Sequence, residues 1–518
     1  MGWQTEVEEL RRRRAKALEL GGEERIKRQH DTGRLTVRER IGRLVDKGTF
    51  FEVGQLAGGR PRGAKGMADF TPGGYVFGMA KIAGRDVFVG GEDFTVRGGS
   101  EGGAGSLKHR AMQRMALDCR VPIILLLDGS GASVRNMDEV GYSGIPKGNS
   151  LAETALLSGR VPLIGAALGT NAGGPALVAP LTDILIMVKG TSQMFSGGPP
   201  LVERALGVKV TKEELGGTWL QVDISGLADL AAENEDHCLA LVRRYLSYFP
   251  QNCWELPPRL ETGDPPDRRE EWLLEAVPRN MRRPYSMHKV LEAVCDRDSL
   301  FEIRPTYGKS LITTLARLDG YPVGVIASNP AHIAGALDGP AADKQAHFMQ
   351  LCDAFHLPLV YFADVPGFMI GQQAERDGVL RRGMRVAHVG VNIRVPTITV
   401  LVHKAYGMGA AAMGGTGTGA HVTLAWPSGQ AGGLPIEGGV MAAFRRDIEA
   451  AADPEQKRKE IEERLDQFRT PWLMAEHYGI EDVIDPRDTR PALIRYLEVA
   501  RNKTKYQLGP RASYGIMP

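Results

Sequence analysis

Two stretches of this chain carry the same pattern 236 positions apart. The first runs Arg120-Val121-Pro122-Ile123-Ile124-Leu125-Leu126-Leu127-Asp128-Gly129-Ser130-Gly131. The second runs His356-Leu357-Pro358-Leu359-Val360-Tyr361-Phe362-Ala363-Asp364-Val365-Pro366-Gly367. A second pair follows each, Val161-Pro162-Leu163-Ile164-Gly165 and Val395-Pro396-Thr397-Ile398-Thr399. These end in small-residue turns, Asn171-Ala172-Gly173-Gly174-Pro175 and Tyr406-Gly407-Met408-Gly409-Ala410. A repeat of so long a period signals a duplicated domain, since solenoid repeats are far shorter. Two similar halves suit a reaction between two similar electrophiles.

The apolar runs Ile123–Leu127 and Ile164–Leu168 alternate with helical stretches such as Gly105–Cys119. That alternation predicts βαβ units around a buried, largely parallel sheet, an α/β fold. With 518 residues the chain has room for two large domains. The expected boundaries are 1–255 for the first, 256–280 for a proline- and charge-rich linker, and 281–518 for the second. Residues 5–44 read as helical, broken near His30-Asp31-Thr32-Gly33, with a new helix at Thr36 capped by Glu39. Tyr75–Gly84 reads as strand and turn. Helices are expected over Pro454–Phe468 and Arg490–Ala500, and the tail after Lys503 is expected to order only by packing on another subunit.

Several function classes lose support. A net charge of +2 gives no global attraction to nucleic acid or a membrane surface. The five cysteines form no Cys-x-x-Cys pair, so they read as reduced buried thiols of a cytoplasmic protein. No signal peptide or bilayer-length apolar run is expected. His332, His347, His356, His388 and His403 show no metal-ligand spacing, so no metal is expected. Gly129-Ser130-Gly131 lacks the spacing of a nucleophile elbow. The Gly407–Gly419 run lacks the Lys-Ser/Thr of a phosphate loop, and Gly98–Gly103 is no dinucleotide fingerprint. The basic run Arg11–Arg14 reads as a solvated helix face.

What remains is backbone chemistry. A strand–glycine–helix turn points N–H groups outward at a helix start, a geometry that stabilises a developing oxyanion. Gly173 and Gly174 would serve in one half, Met408 and Gly409 in the other, with Gly407 making the turn. For either turn alone a purely conformational role for glycine is the simpler reading; the repetition favours function.

The chain resembles the carboxyltransferase (β) subunit of biotin-dependent acyl-CoA carboxylases, the propionyl-, acetyl- and methylcrotonyl-CoA carboxylase family. The matching stretches span nearly the whole length: Lys27–Ile41, Asp93–Ser100, Glu213–Gly217, Cys352–Phe355, Asp364–Phe368, Lys404–Gly407 and Asp482–Arg490. The resemblance implies two tandem crotonase-like (ClpP/crotonase) subdomains. It implies active sites between the first half of one subunit and the second half of another, in a homohexamer built as a trimer of dimers. The first half would hold the acyl-CoA and the second the carboxybiotin. The Gly173–Gly174 and Met408–Gly409 amides would each stabilise an oxyanion, with Tyr406, Gly407, Gly98 and Gly99 around the bound groups and Ala172 and Ala411 lining the substrate pocket. The biotin would come from a separate biotin carboxylase/carrier subunit, because no Met-Lys-Met-type biotinylation site or ATP-binding region is found. Neither nucleic acid nor direct membrane association is implied.

Three departures stand out. Met408-Gly409-Ala410-Ala411 replaces the Gly-Ala-Tyr-Asp of propionyl-type members, so Ala411 stands where an acid borders the acyl pocket; a larger, more apolar floor is expected. Asp128–Ser133 departs from Asp-Ser-Gly-Gly-Ala-Arg, and Gly105 replaces a histidine ahead of Lys108. Rival readings are a decarboxylase running the transfer backward with a membrane pump, a crotonase-type hydratase or isomerase, and a non-catalytic scaffold. The hydratase reading needs carboxylates beside the first turn, and Gly173–Leu177 offers none.

Overall fold

The computed structural model describes residues 2–59, 70–101, 103–132, 138, 141, 149–280, 283–415, 421–511 and 516–517. Ser133, Met281 and the end of the Gly407–Gly419 run, which figure in the sequence reading, lie outside the described residues. The chain divides into two compact units, Met1–Glu255 with Gly509–Pro518, and Leu256–Leu508.

The first unit is built on a seven-stranded sheet whose spatial order follows the chain. The strands are β1 (Phe51–Val53), β2 (Tyr75–Ile82), β3 (Arg85–Glu92), β4 (Ile123–Leu127), β5 (Leu163–Ala167), β6 (Ile184–Val188) and β7 (Leu230–Ala232). β1, β2 and β3 are antiparallel neighbours, and β3 to β7 run parallel. Every residue of β4, β5 and β6 is buried, which is why these strands read as continuous apolar runs without alternation. Helix α1 (Gly103–Cys119) makes the crossover from β3 to β4.

The second unit repeats this plan. β8 (Phe301–Ile303), β9 (Leu311–Leu318), β10 (Tyr321–Ser328), β11 (Leu359–Val365), β12 (Thr397–Tyr406), β13 (His421–Ala425) and β14 (Asp482–Val483) again lie in chain order, and Gln430–Gly432 adds to β12. The directions match strand for strand: two antiparallel pairs, then four parallel ones. The duplication reaches single torsions. The β2–β3 hairpin turns through Ala83 and Gly84 at φ 50° and 78°, and the β9–β10 hairpin through Asp319 and Gly320 at φ 52° and 75°. Two-residue hairpins need positive φ at both positions, which asparagine, aspartate and glycine tolerate best. Each turn is tied down by a buried or half-buried aspartate. Asp46 accepts the N–H groups of Ala83 and Gly84, and Asp296 those of Asp319 and Gly320.

The expected capping box at Thr36 is present, opening the helix Val37–Leu44. The N-terminal segment breaks once more than expected. Helices Gln4–Leu18 and Glu23–Asp31 are separated by Leu20 (φ 51°) and the glycine pair Gly21-Gly22 (Gly22 φ 92°), whose breaking effect outweighs the helical composition around it. Residues 256–280, expected as a linker, fold with the second unit. Arg490, 1% exposed, pairs with Asp296 at 2.8 Å and donates to the Pro265 and Val294 carbonyls at 3.0 Å each. Arg268 bonds both oxygens of Asp264 and the carbonyls of Ala293 and Cys295. Proline and charge suggest a free linker only when distant partners are out of sight, here Arg490 and Asp488, more than two hundred residues away. The tail returns to the first unit, where Ser158 Oγ and the Ile516 backbone exchange two hydrogen bonds. All five cysteines are free thiols; Cys119 is exposed and the other four are buried.

Asp183, just before β6, has consequences for stability. The Leu163 N–H donates to its Oδ2 at 2.8 Å, while its Oδ1 is buried without a partner. Burial pushes its carboxyl up to about 8, with the charge of Asp229 adding to the shift and the Leu163 bond opposing it. An unfolded aspartate releases its proton near pH ~4. The folded state therefore binds more protons between about pH 4 and 8, and its stability falls as pH rises through that window. Asp183→Asn keeps an acceptor for Leu163 and removes the titration. Its melting temperature should gain on the wild type steadily from pH 6 to 8, by up to about 1.4 kcal/mol per pH unit in stability. Calorimetry across that range checks this; parallel pH profiles would contradict it.

Candidate active site

In each unit the conspicuous turn sits beyond the carboxyl ends of the parallel strands, where open α/β sheets place their ligands. In the first unit, β5 is followed by a short strand, Thr170–Ala172, paired with Gln193–Phe195. Gly173 then adopts φ 61°, ψ −126°, and Gly174 opens helix α2 (Gly174–Val178). The N–H groups of a helix's first turn have no intrahelical acceptor, so Gly174 presents one. The loop after β4 packs against this turn. A Cβ on Gly131 (φ 72°) would stand 2.5 Å from the Ala172 carbonyl oxygen and 3.1 Å from Gly173 Cα. Gly99 is equally confined: a Cβ there would stand only 2.5 Å from the Asp128 carbonyl oxygen. The Ser130 N–H donates to the Gly98 carbonyl. Gly98, Gly99, Asp128–Gly131 and Ala172–Gly174 thus form one patch of nearly bare backbone.

Two side chains fix that patch. Asn171, fully buried, accepts from the Gly129 N–H and donates to the Leu127 and Gly169 carbonyls, sewing the two loops together. Asp128, also fully buried, receives Arg40 Nη1 at 2.9 Å, Gln29 Nε2 at 3.0 Å and Arg34 Nη1 at 3.4 Å. Arg40, 1% exposed, also grips Glu235 through two bonds of 2.9 and 2.7 Å and donates to the Leu168 carbonyl.

In the second unit β12 ends at Tyr406, which pairs with Gly432 as Ala172 pairs with Phe195. Gly407 (φ 54°) takes the place of Gly173 and opens the short helix α3 (Gly407–Ala410). The sequence reading matches the turns as Gly173–Gly174 against Met408–Gly409. The strand register shifts that match by one: Gly407 answers Gly173, Met408 answers Gly174, and Gly409 answers Pro175, which has no N–H. Gly409 is confined, since a Cβ there would stand only 2.8 Å from Gly367 Cα, and a Cβ on Gly335 would stand 2.5 Å from the Asp364 carbonyl oxygen, the same distance as one on Gly99 from that of Asp128. Ala411 is half-buried where α3 passes into the wider turn Ala411–Gly415. Asp364 is fully buried, accepts the Lys404 N–H at 3.2 Å, and has His403 Nδ1 and Lys404 Nζ each 3.5 Å from Oδ1. Burial pushes its carboxyl up, but His403 and Lys404 outweigh it and hold it below the usual carboxylate range.

At Gly98 the first unit's patch borders a cavity of about 810 Å³. Arg25, Arg28, Arg34 and Arg97 line it together with Phe94 and Gly98. Arg34 stacks over the Phe94 ring at 4.8 Å, and Arg25 donates to the Thr95 carbonyl. Gly98 stands out in the sequence but these arginines do not, because single arginines scattered through the helix Glu23–Asp31 and two separate loops carry no local signal. It weighs Arg11–Arg14 instead; Arg12 and Arg13 are taken up by Glu9. The expected site residues therefore separate into two groups, Gly98, Gly99, Ala172, Gly173 and Gly174 in the first unit, and Tyr406, Gly407, Met408, Gly409 and Ala411 in the second. Among the described residues no cluster of three or more histidine, cysteine or acidic side chains could hold a metal ion, and no helix is long and apolar enough to cross a membrane.

Comparison with known proteins agrees with this geometry. Residues 28–513 match the family model described as the carboxyl transferase domain. A propionyl-CoA carboxylase carboxyltransferase subunit from Haloferax mediterranei is 38% identical, with 100% of each chain covered. A methylmalonyl-CoA decarboxylase subunit alpha from Veillonella parvula is 37% identical over 96% of each. The solved structure of transcarboxylase 12S, a hexamer with methylmalonyl-CoA and methylmalonic acid bound, superposes with a TM-score of 0.90 at 34% identity, covering 100% of this chain and 99% of that one. The duplicated crotonase-like α/β architecture expected from the sequence is the fold of this protein. With its family model matched over almost its entire length and both halves of the fold in place, the chain belongs to the carboxyl transferase domain family.

Proposed function

We propose that this protein is the carboxyltransferase component of a biotin-dependent acyl-CoA carboxylase. It moves a carboxyl group between biotin and the α (or vinylogous) carbon of an acyl-CoA, on a backbone cradle in each unit. The observation that carries this reading is the repeated cradle: glycine-lined, too tight for a Cβ, and placed at the same strand ends in both halves. Such cradles suit planar carbonyl groups whose oxygen gains negative charge during reaction, because preorganised N–H donors then bind the transition state better than the ground state.

The first unit fits the thioester. Gly173 and Gly174 direct backbone N–H groups toward the thioester oxygen as the α-carbon loses its proton, and Ala172 leaves room for the acyl group. The arginines of the neighbouring cavity fit the phosphates of coenzyme A, for which guanidinium groups are well suited. The second unit fits the ureido ring, with the Met408 and Gly409 N–H groups stabilising negative charge on its oxygen. Carboxybiotin, when bound, supplies both the carboxyl group and, after releasing it, the base for the α-proton. No nucleophilic side chain is needed, in keeping with a sequence that carries no nucleophile elbow. Ala411 supplies neither charge nor bulk, so acyl groups longer or more branched than propionyl are accepted.

The biotin arrives on a separate carboxylase/carrier subunit, and the protein assembles as a hexamer in the cytoplasm, in keeping with the hexameric transcarboxylase 12S. Relatives of nearly equal identity are named for carboxylation and for decarboxylation, and we take carboxylation of the acyl-CoA as the working direction. Removing the charges of Arg25 and Arg28 together, by alanine, should raise KM for the acyl-CoA about tenfold or more and leave kcat nearly unchanged, the signature of lost ground-state binding. Steady-state kinetics decide this. An unchanged KM would remove the cavity from the coenzyme A site.

A further inference from the structure

The two cradles are braced differently. In the first unit Asn171, one residue before Ala172, sews the turn to the β4 loop from within through three hydrogen bonds. Its counterpart in the second unit is Ala405, paired with Ala431 as Asn171 is paired with Met194. Alanine can make none of those bonds, so the second turn lacks the internal clamp.

An outside brace stands in its place. Tyr406, 3% exposed, ends β12 directly before Gly407. Its hydroxyl accepts from Arg469 Nη1 at 3.0 Å and donates to Gln430 Oε1 at 3.2 Å. The Arg469 backbone carbonyl accepts the Ala431 N–H at 3.4 Å, so one residue holds both strands beside the turn. The segment so held approaches the cradle closely: a Cβ on Gly407 would lie 3.2 Å from the Gly433 carbonyl oxygen, and one on Gly432 3.6 Å from the Tyr406 ring. Arg469 is itself steadied by Asp466 at the end of the helix Pro454–Asp466. The first unit's equivalent of Tyr406 is Ala172, which has no hydroxyl to tether.

We infer that Arg469 is a positioning residue for the second cradle: acting through the Tyr406 hydroxyl, it holds Gly407, Met408 and Gly409 in the geometry that Asn171 secures in the first unit. This rests on the reading that the second turn serves the biotin side of the transfer. A brace on that turn alone should govern the biotin half-site and leave the acyl-CoA half-site untouched.

The test is carboxyl exchange between free biotin and acyl-CoA with Arg469→Ala, Arg469→Lys, Tyr406→Phe and the Ala/Phe double variant. Arg469→Ala should lower kcat/KM for biotin about tenfold or more while KM for the acyl-CoA stays within about twofold, and Arg469→Lys should restore most of it. The double variant should be no worse than the poorer single one, because both break the same tether. Hydrogen exchange read on the peptide containing Tyr406–Ala410 should be faster in both single variants, a readout that stands even where turnover requires the carrier subunit. Losses that multiply, an equal rise in KM for acyl-CoA, or wild-type kinetics and exchange protection in Arg469→Ala would each overturn the inference. Gly407→Ala separates the two ideas. If it too is silent, the assignment of the second turn fails; if it is severe while Arg469→Ala is silent, only the tether fails.

Discussion

Gly173→Ala is expected to cut carboxyl transfer by at least a hundredfold while the protein stays folded. Gly173 sits at φ 61°, ψ −126°, a conformation open to glycine and costly for any residue with a Cβ. The turn is also pressed against the β4 loop, since Gly131 already stands where a Cβ would meet the Ala172 carbonyl and Gly173 Cα. An alanine must therefore rotate the peptide units on either side, turning the Gly173 and Gly174 N–H groups away from the thioester oxygen. The strain of about 1–3 kcal/mol is local and a large domain tolerates it. The lost donors are the larger effect, since removing one oxyanion donor commonly costs about 10²–10³ in kcat. Exchange kinetics with a melting curve on the same sample check both halves. A variant with near wild-type kcat would show that this turn does not hold the reacting oxygen.

The second large effect concerns stability. Arg40→Met should destabilise the first unit by about 3–5 kcal/mol, because it strands Glu235 as a buried carboxylate without its cation and leaves the buried Asp128 only the longer contact to Arg34 at 3.4 Å. The Leu168 carbonyl loses its donor as well. Denaturant unfolding at pH 7 measures the loss. A loss below about 1 kcal/mol would mean that water reaches the pair and screens it. Asp128 carries the β4 loop, so the surviving folded fraction should also show weakened exchange activity.

The duplicated sheet is open to reading from the sequence because its central strands are buried on both faces. Ile123–Leu127 and Leu359–Val365 therefore stand out as apolar runs at one offset, each with an aspartate at its carboxyl end. The turns are visible for a similar reason, since glycine at positive φ has few substitutes. What escapes the sequence depends on distance. Nothing near Asp128 announces Arg40, Gln29 and Arg34, because the bonds span roughly ninety residues of chain. The one-residue shift between the turns is hidden because Pro175 and Gly409 differ in the property that matters, the N–H, while the strand register that aligns them lies in partners elsewhere. The exchange of Asn171 for a Tyr406–Arg469 brace is invisible for the same reason: the same task is met by residues from different parts of the chain.

The central claim is that this chain transfers a carboxyl group between a biotin ring and an acyl-CoA through two backbone cradles. The most direct test is labelled carboxyl exchange, in both directions, between biotin and a panel of acyl-CoAs of increasing length, using the intact protein with and without Gly173→Ala and Gly407→Ala. The account predicts exchange in the wild type extending beyond propionyl-CoA, as the uncharged Ala411 position implies, and its collapse in both variants. Exchange restricted to acetyl- and propionyl-CoA would contradict the role given to Ala411. Exchange that persists undiminished in either glycine variant would contradict the cradles themselves.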